Sequence, residues 1–528
     1  MVTFPSESWR TLLRNAGVLC VGIVAYYGAE YPGKVAIDCL YLLTEQKDYS
    51  KYCELLTSHK YFSIGFQLYD DVKDFREDLE KGQFNWAVYQ LKKRVDFKNM
   101  EATILNKLLF IKGAGQEILK EAIENFQKAL AITNRIESVS EGGWKHVIQE
   151  TKRTIVEYLD ITNGYIKTLE KRIELKKEQT QNSDFFNYSM VKNKVIKGGL
   201  DFIKHDFEEN YSDLKHIMYL SEAEGFENSS QVHVTDIFQR ALINDCLIQV
   251  SDKHAIEISE FLRKECQYLV NLRNNDSIGG WSYFPTVKEI AADIDDLSQI
   301  VQLFVKSHNN LLVEKYCKEA IRVALDRTFQ DGSIETWIIN KENQTPLQIK
   351  QEFFNETKWG KGPDLEVVAN FIYSLMLYDS KVYKKHIQNA LKYIMSKQSE
   401  NGYWDSKWYY GNYYGTYVSL RLLKSSKKDF FNNIEKALKF IIEAQRSDGG
   451  FGLSINHSSD PLSTAFAILS LKLFLQKENP TILKAEKYLI LLQNPTGYWS
   501  EVDFIKPKLQ EPYKSKTLTT AFVLSALC

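Results

Sequence analysis

Through the first 180 residues, apolar positions recur every three or four places with charges between them. NKLLFIKGAGQEILKEAIENFQKALAITNRI and KHVIQETKRTIVEYLDITNGYIKTLEKRIELKK keep this spacing over many turns, which predicts long amphipathic helices. ELKKEQTQNSDFFNYS then turns polar and turn-rich, so a boundary is expected near residue 182, dividing 1–182 from 183–528. After residue 185 a larger unit repeats: an amphipathic helix, a Gly-containing turn with an aromatic, a second helix. The turns are RNNDSIGGWSYF, FQDGSIETW, KQSENGYWDSKW, AQRSDGGFGLS and LQNPTGYWSEV. Gln398, Gly402 and Trp404 fit Q-x-x-x-G-x-W; so do Gln493, Gly497 and Trp499; Gln445, Gly449 and Phe451 fit with Phe for Trp. The aromatics lie 47 and 48 residues apart, a repeat expected of a stacked or closed helical array.

Helices are expected to begin near 190, 235, 255, 294, 312, 364, 382, 413, 430, 461, 481 and 517. Twelve helices as six hairpins would close into an α6/α6 double barrel, six inside and six outside, so the whole chain reads as all-α. In each turn the Gln can satisfy backbone groups at a helix end while the aromatic covers the turn. These residues are therefore expected to staple the barrel rather than to do chemistry.

Composition narrows the class. The chain has 528 residues, 44% hydrophobic and 26% charged, and a net charge of −1. That is the balance of a globular protein of two or three domains, without the basic excess that nucleic-acid binding needs. Ten Pro and 26 Gly favour helices, and 13% aromatic content promises large rigid walls. Cys20, Cys39, Cys53, Cys246, Cys266, Cys317 and Cys528 are odd in number, scattered and free of a CxxC pair, so reduced thiols in a cytoplasm are expected. The apolar run from Ala16 to Gly28 is too short to span a bilayer and is expected to be a buried helix.

Candidate chemistry concentrates in KEIAADIDDLSQIVQLF. Asp293, Asp295 and Asp296 crowd against an apolar helical run. A solvated helix start is one reading. The other is a buried cluster in which like charges and desolvation keep one carboxyl protonated, against the helix N-terminus, which favours the anion.

This D-x-D-D run, GGWSYFP before it and the Gln-Gly-Trp turns resemble the squalene–hopene cyclase and class II terpene cyclase superfamily. WYYGNYYGTYVSLRLL, DGGFGLSINHSSDPLSTAFAILSL and YKSKTLTTAFVLSAL are similar to successive blocks of that family's barrel (β) domain, so the likeness spans about 185–528. It implies cyclisation begun by protonating an alkene, with Asp295 as the acid flanked by Asp293 and Asp296. Where the hopene cyclase pattern has a His, this chain has Asn370 in GPDLEVVANFIY, which resembles diphosphate-using cyclases and can donate to one oxygen of the acid. Asp364 and Glu366 are expected to cap the same helix. Trp281, Tyr283, Phe284, Trp359, Trp408, Tyr410 and Tyr414 are the candidate pocket wall, where aromatic faces stabilise a passing cation, with Tyr413 and Tyr417 further candidates. Lys361 is the candidate for a diphosphate at the mouth. The γ domain usual near the start of the barrel domain has no room in 185–255.

SIGFQLYDDVKDFREDLEKGQFN resembles the second Asp-rich motif of trans-polyprenyl diphosphate synthases and class I terpenoid synthases. That resemblance implies a helical, partial isoprenoid-synthase-like α domain over 1–182, with Asp70, Asp71 and Asp74 as Mg²⁺ ligands. Fewer than 70 residues precede Asp70 among 528, and no N-D-x-x-S-x-x-x-E or second D-D-x-x-D occurs in 1–180. Expected, then, is a class II cyclase of a linear C15–C25 prenyl diphosphate, with a class I synthase using Asp70, Asp71 and Asp74 as the alternative. A non-enzymatic helical scaffold is the third reading. The partner expected is the prenyl diphosphate, without a transmembrane span; peripheral membrane contact and a homo-oligomer stay open.

Overall fold

The computed structural model describes residues 30–43, 48–98, 100–136, 143–177, 184–220, 225–226, 231–426, 430–454, 456–506 and 512–528. The expected helix at Ala16–Gly28 and Cys20 lie outside the described residues. Two compact units separate: 1–170 with 219–231, and 171–218 with 232–528, against the boundary expected at 182.

In the first unit, α1 (Glu30–Leu43), α2 (Tyr49–Lys73), α3 (Phe75–Lys81), α4 (Trp86–Lys92), α5 (Ala102–Ile111) and α6 (Ala114–Thr133) precede the long α7 (Gly143–Lys177). Its core joins Leu68 and Val72 of α2 and Phe75 of α3 to Leu91, Leu109, Leu119, Ala122 and Phe126. Gly65 lets α2 press against α6, since a Cβ there would sit 2.7 Å from the Phe126 ring.

The second unit is a closed double ring of helices. Its inner helices are α9 (Ile237–His254), α11 (Ile294–Lys306), α15 (Leu365–Asp379), α17 (Tyr413–Ser425), α19 (Pro461–Lys472) and α21 (Lys516–Leu527), each packed on the next, with α21 returning to α9. Apart from one terminal Lys each, PLSTAFAILSLK and KTLTTAFVLSAL hold only apolar, Ser and Thr positions, so burial on all sides is the stable setting of their bodies. Outside lie α8 (Lys194–Glu208), α10 (Ser259–Asn271), α12 (Asn310–Tyr316) with α13 (Lys318–Asp326), α16 (Lys384–Ser396), α18 (Phe431–Glu443) and α20 (Pro480–Leu492). These carry one apolar stripe; α18 buries only Ala437 and Ile441. The helix starts agree with the periodicity to within a few residues. Two features were not foreseen: α14 (Pro346–Phe354), continued by a π-turn at Asn355–Trp359, and paired strands β1 (His216–Leu220) and β2 (Gln231–Thr235).

The repeat residues are staples in atomic detail. Gln398 Nε2 donates to the carbonyls of Gly402 (2.7 Å) and Asn433 (2.8 Å), tying its turn to α18. Gln445 does the same to Gly449 and Thr481, and Gln493 to Gly497 and Val195, so the last turn grips α8 and completes the ring. Trp404 Nε1 donates to the Ile394 carbonyl and Trp499 Nε1 to that of Leu489. Gly402, Gly449 and Gly497 have φ between +90° and +99°, which L side chains rarely adopt.

Candidate active site

Asp293 is the N-cap of α11. Its Oδ1 accepts the backbone N–H of Asp295 (2.9 Å) and of Asp296 (2.8 Å), so the first carboxylate of D-x-D-D is spent on orienting the next two. All three are buried, at 7%, 8% and 1% exposure, which removes the solvated-helix-start reading. Burial pushes Asp293 up to about 7 against the amides that it caps. It pushes Asp296 well above the usual carboxylate range, with the neighbouring Asp293 charge adding repulsion. Asp295 rises to about 6: burial dominates, opposed by hydrogen bonds from Tyr409 and Asn370.

Both Asp295 oxygens are engaged. Asn370 Nδ2, from the first half of α15, donates to Oδ1 at 3.1 Å, and the Tyr409 hydroxyl donates to Oδ2 at 2.5 Å. Asn370 Nδ2 also donates to Tyr414 Oη at 3.2 Å. Tyr409 was not among the expected residues although both its neighbours were. Tyr409 faces inward and is buried, while Tyr410 is half-buried beside Lys506.

The three carboxylates line a mostly apolar cavity of about 720 Å³, its mouth included, with Phe238, Tyr283, Phe284, Trp337, Trp359, Trp408, Tyr409 and Ile505 among its walls. That lining suits an apolar ligand anchored by few polar groups. Tyr283, Phe284, Trp359 and Trp408 are where the sequence expected them. Three expected wall residues are not. Trp281 lies behind the wall, fully buried, its Nε1 donating to the Leu269 carbonyl at 2.7 Å, the bond Trp404 and Trp499 make in their turns. Tyr414 sits behind Tyr409, ring centroids 4.2 Å apart, and Tyr410 points aside. Tyr413 packs on Phe440 and Phe451, and Tyr417 on Phe466.

Sequence reasoning also missed His216, Phe238, Trp337 and Lys506 of the lining. They come from a strand, a loop and a distant helix that no local motif joins. His216 is held by Tyr283 Oη at 2.8 Å, and burial lowers it to about 3, so it is neutral. Lys361 is committed to Glu356 and Glu352 and is not in the lining; Lys506 is the lysine there. Asp364 makes no side-chain cap bond. It instead accepts from Thr336 Oγ1, Trp408 Nε1 and Lys407. Glu366 accepts the Trp408 backbone N–H at 2.8 Å, and burial pushes it up to about 8.

The Asp-rich motif of the first unit does not gather as a metal site. Asp71 Oδ2 accepts the Trp86 N–H (2.9 Å), tethering α4, and Oδ1 accepts from Gln67 (2.8 Å). Asp74 is the C-cap of α2. Among the described residues no group of three or more His, Cys, Asp or Glu could hold a metal ion.

Residues 260–513 match the squalene–hopene cyclase C-terminal domain family. Squalene–hopene cyclase of Bradyrhizobium diazoefficiens is 26% identical over 152 residues, 26% of this chain and 23% of the relative. Lanosterol synthase of Pneumocystis carinii is 22% identical over 308 residues, 52% and 42% of the two chains. The type II terpene cyclase MstE of Scytonema, a solved structure, aligns with TM-score 0.46 and 14% identity over 63% of this chain and 96% of its own. The chain spans less than half the length of these two curated relatives.

Proposed function

We propose, from the match of residues 260–513 to the squalene–hopene cyclase C-terminal domain family, that this chain is a class II terpene cyclase that protonates a linear C15–C25 prenyl diphosphate at Asp295. One observation carries the reading: Asp295 lies buried on the wall of an apolar cavity with Asn370 on one carboxyl oxygen and Tyr409 on the other.

The chemistry follows from two opposed demands. An alkene is a very weak base, so its proton donor must be a strong acid that is nonetheless protonated at rest. Burial raises Asp295 to about 6, so the proton is held below that pH. The Asn370 and Tyr409 hydrogen bonds lend acidity, because they stabilise the carboxylate as it forms, and the α11 N-terminus does the same. Asp293 holds the turn in shape and Asp296, beside it, stays neutral. The proton leaves Asp295 for the terminal alkene carbon. The π-electrons of the next double bonds close rings on the resulting cation, and loss of a proton or capture of water ends the cascade with the diphosphate retained. Phe238, Phe284, Trp337 and Trp408 present aromatic faces that stabilise the cation without trapping it. Lys506 is the proposed contact for the anionic head group. Mg²⁺ is proposed only as counter-ion to that diphosphate, with no residue of the chain assigned to it.

Among the described residues no helix is long and apolar enough to cross a membrane. Free Cys39, Cys53, Cys246, Cys266, Cys317 and Cys528 support a cytoplasmic setting.

Incubation with farnesyl, geranylgeranyl and geranylfarnesyl diphosphates tests the function. A cyclic diphosphate, seen after phosphatase treatment and absent with Asp295→Asn, is the expected result. Pyrophosphate release that survives Asp295→Asn would overturn it.

A further inference from the structure

Behind Asp295, away from the cavity, a row of buried and half-buried polar side chains runs through four inner helices. Asn370 Oδ1 accepts from Arg421 Nη2 at 2.9 Å. Arg421 Nη1 lies 3.7 Å from Asp245 Oδ2, and Lys306 Nζ donates to Asp245 Oδ1 at 2.5 Å. Arg421 is 8% exposed, with the Tyr373 ring 4.3 Å and the Tyr417 ring 5.3 Å from its guanidinium carbon. Arg421 does not line the cavity that holds Asp295, so holding substrate there is not its role.

The direction of these bonds is forced. A guanidinium has five N–H donors and no acceptor, so Asn370 must turn its oxygen to Arg421 and its NH₂ to Asp295. Without that anchor the amide oxygen and nitrogen are nearly the same shape, and Asn370 is free to flip. Flipped, it would offer Asp295 an acceptor, which would bind the acid's proton instead of leaving it for the alkene.

We propose that Arg421 is a positioning residue: by locking the Asn370 amide it keeps Asp295 Oδ1 the acceptor of an N–H bond, so that Asn370 never competes with the alkene for the acid's proton. Asp245, shared with Lys306, supplies the counter-charge that a buried guanidinium needs. The proposal rests on the class II reading above.

Its test is a double-substitution cycle with geranylgeranyl diphosphate, or with whichever of the three prenyl diphosphates the wild type cyclises. The variants are Arg421→Met, Asn370→Ala and the two combined, each checked for folding by thermal melting. Arg421→Met should lower kcat by roughly ten- to a hundredfold, the size of one hydrogen bond to a charged group, and leave KM unchanged. In the Asn370→Ala background the same change should cost nothing further. Arg421→Lys, which keeps charge and donor, should retain more activity than Arg421→Met, and it serves as the readout if Arg421→Met does not fold. Equal losses in both backgrounds, a change in KM alone, or an Arg421→Lys variant no better than Arg421→Met would overturn the positioning role. A wild type that cyclises none of the three, or an active Asp295→Asn, would instead overturn the class II reading and the proposal with it.

Discussion

At the scale of single residues, the acid is set by environment rather than by identity. Asp293, Asp295 and Asp296 are chemically alike, yet one caps a helix, one is pinned by two donors and one is held neutral. Asp295→Asn keeps the shape and removes the proton, so cyclisation should fall by roughly a hundred- to ten-thousandfold, the span of general acid catalysis, with the fold intact by circular dichroism. The working form is the protonated acid, raised by burial to about 6. The rate should therefore be highest below that pH and decline as pH rises through it; a kcat profile that climbs from pH 6 to 8 would contradict this. Tyr409→Phe removes one donor to the Asp295 carboxylate while keeping the ring in the wall, so kcat should drop about tenfold and the profile shift to higher pH.

At the scale of elements, the glutamine-anchored turns carry the ring. Each Gln gives both its amide N–H bonds to carbonyls, one in its own turn and one in the first turn of an outer helix or, for Gln493, at Val195 of α8. Gln493→Ala breaks the bond that links residues 493 and 195 and should destabilise by about 1–3 kcal/mol in urea unfolding. Gly402→Ala should cost more than a usual surface change, because φ is +99° and the added Cβ would lie 2.4 Å from the Lys436 carbonyl oxygen. The spacing and identity of these turns were legible in the sequence because the staple is local: Gln, Gly and aromatic lie within seven residues. Trp281 was misread for the same reason. Its turn lacks the Gln, so it looked available for the pocket, whereas its indole makes the same bond to a preceding helix as Trp404 and Trp499.

At the scale of the whole molecule, buried acids couple protonation to folding. Asp295 at about 6, Asp293 at about 7 and Glu366 at about 8 all lie above the ordinary unfolded range near 4. The folded chain then binds protons that the unfolded chain releases. This stability is complete below about pH 4 and is lost as pH rises towards 8. Set against other titrating groups, the melting temperature should fall from pH 5.5 to 8.5, and Glu366→Gln should flatten that slope. The first unit gives a separate expectation. Asp71 is occupied by Trp86 and Gln67, so Asp70→Ala with Asp71→Ala should loosen the α2–α4 region while leaving cyclisation near wild type, with or without Mg²⁺. Loss of activity from that pair would restore the class I alternative.

What the sequence alone determined is what periodicity and local motifs encode. Apolar spacing marked twelve of the barrel helices, and the D-x-D-D run marked the proposed acid, because its cap geometry is complete within four residues. The tertiary structure decided what depends on distant chain segments. It brought Tyr409 and Asn370 to opposite oxygens of Asp295, placed Arg421 and Asp245 behind them, and put Lys506 rather than Lys361 on the cavity. It also set the proton affinities, since the same carboxyl in water would titrate near 4 and only the closed ring of helices removes that water.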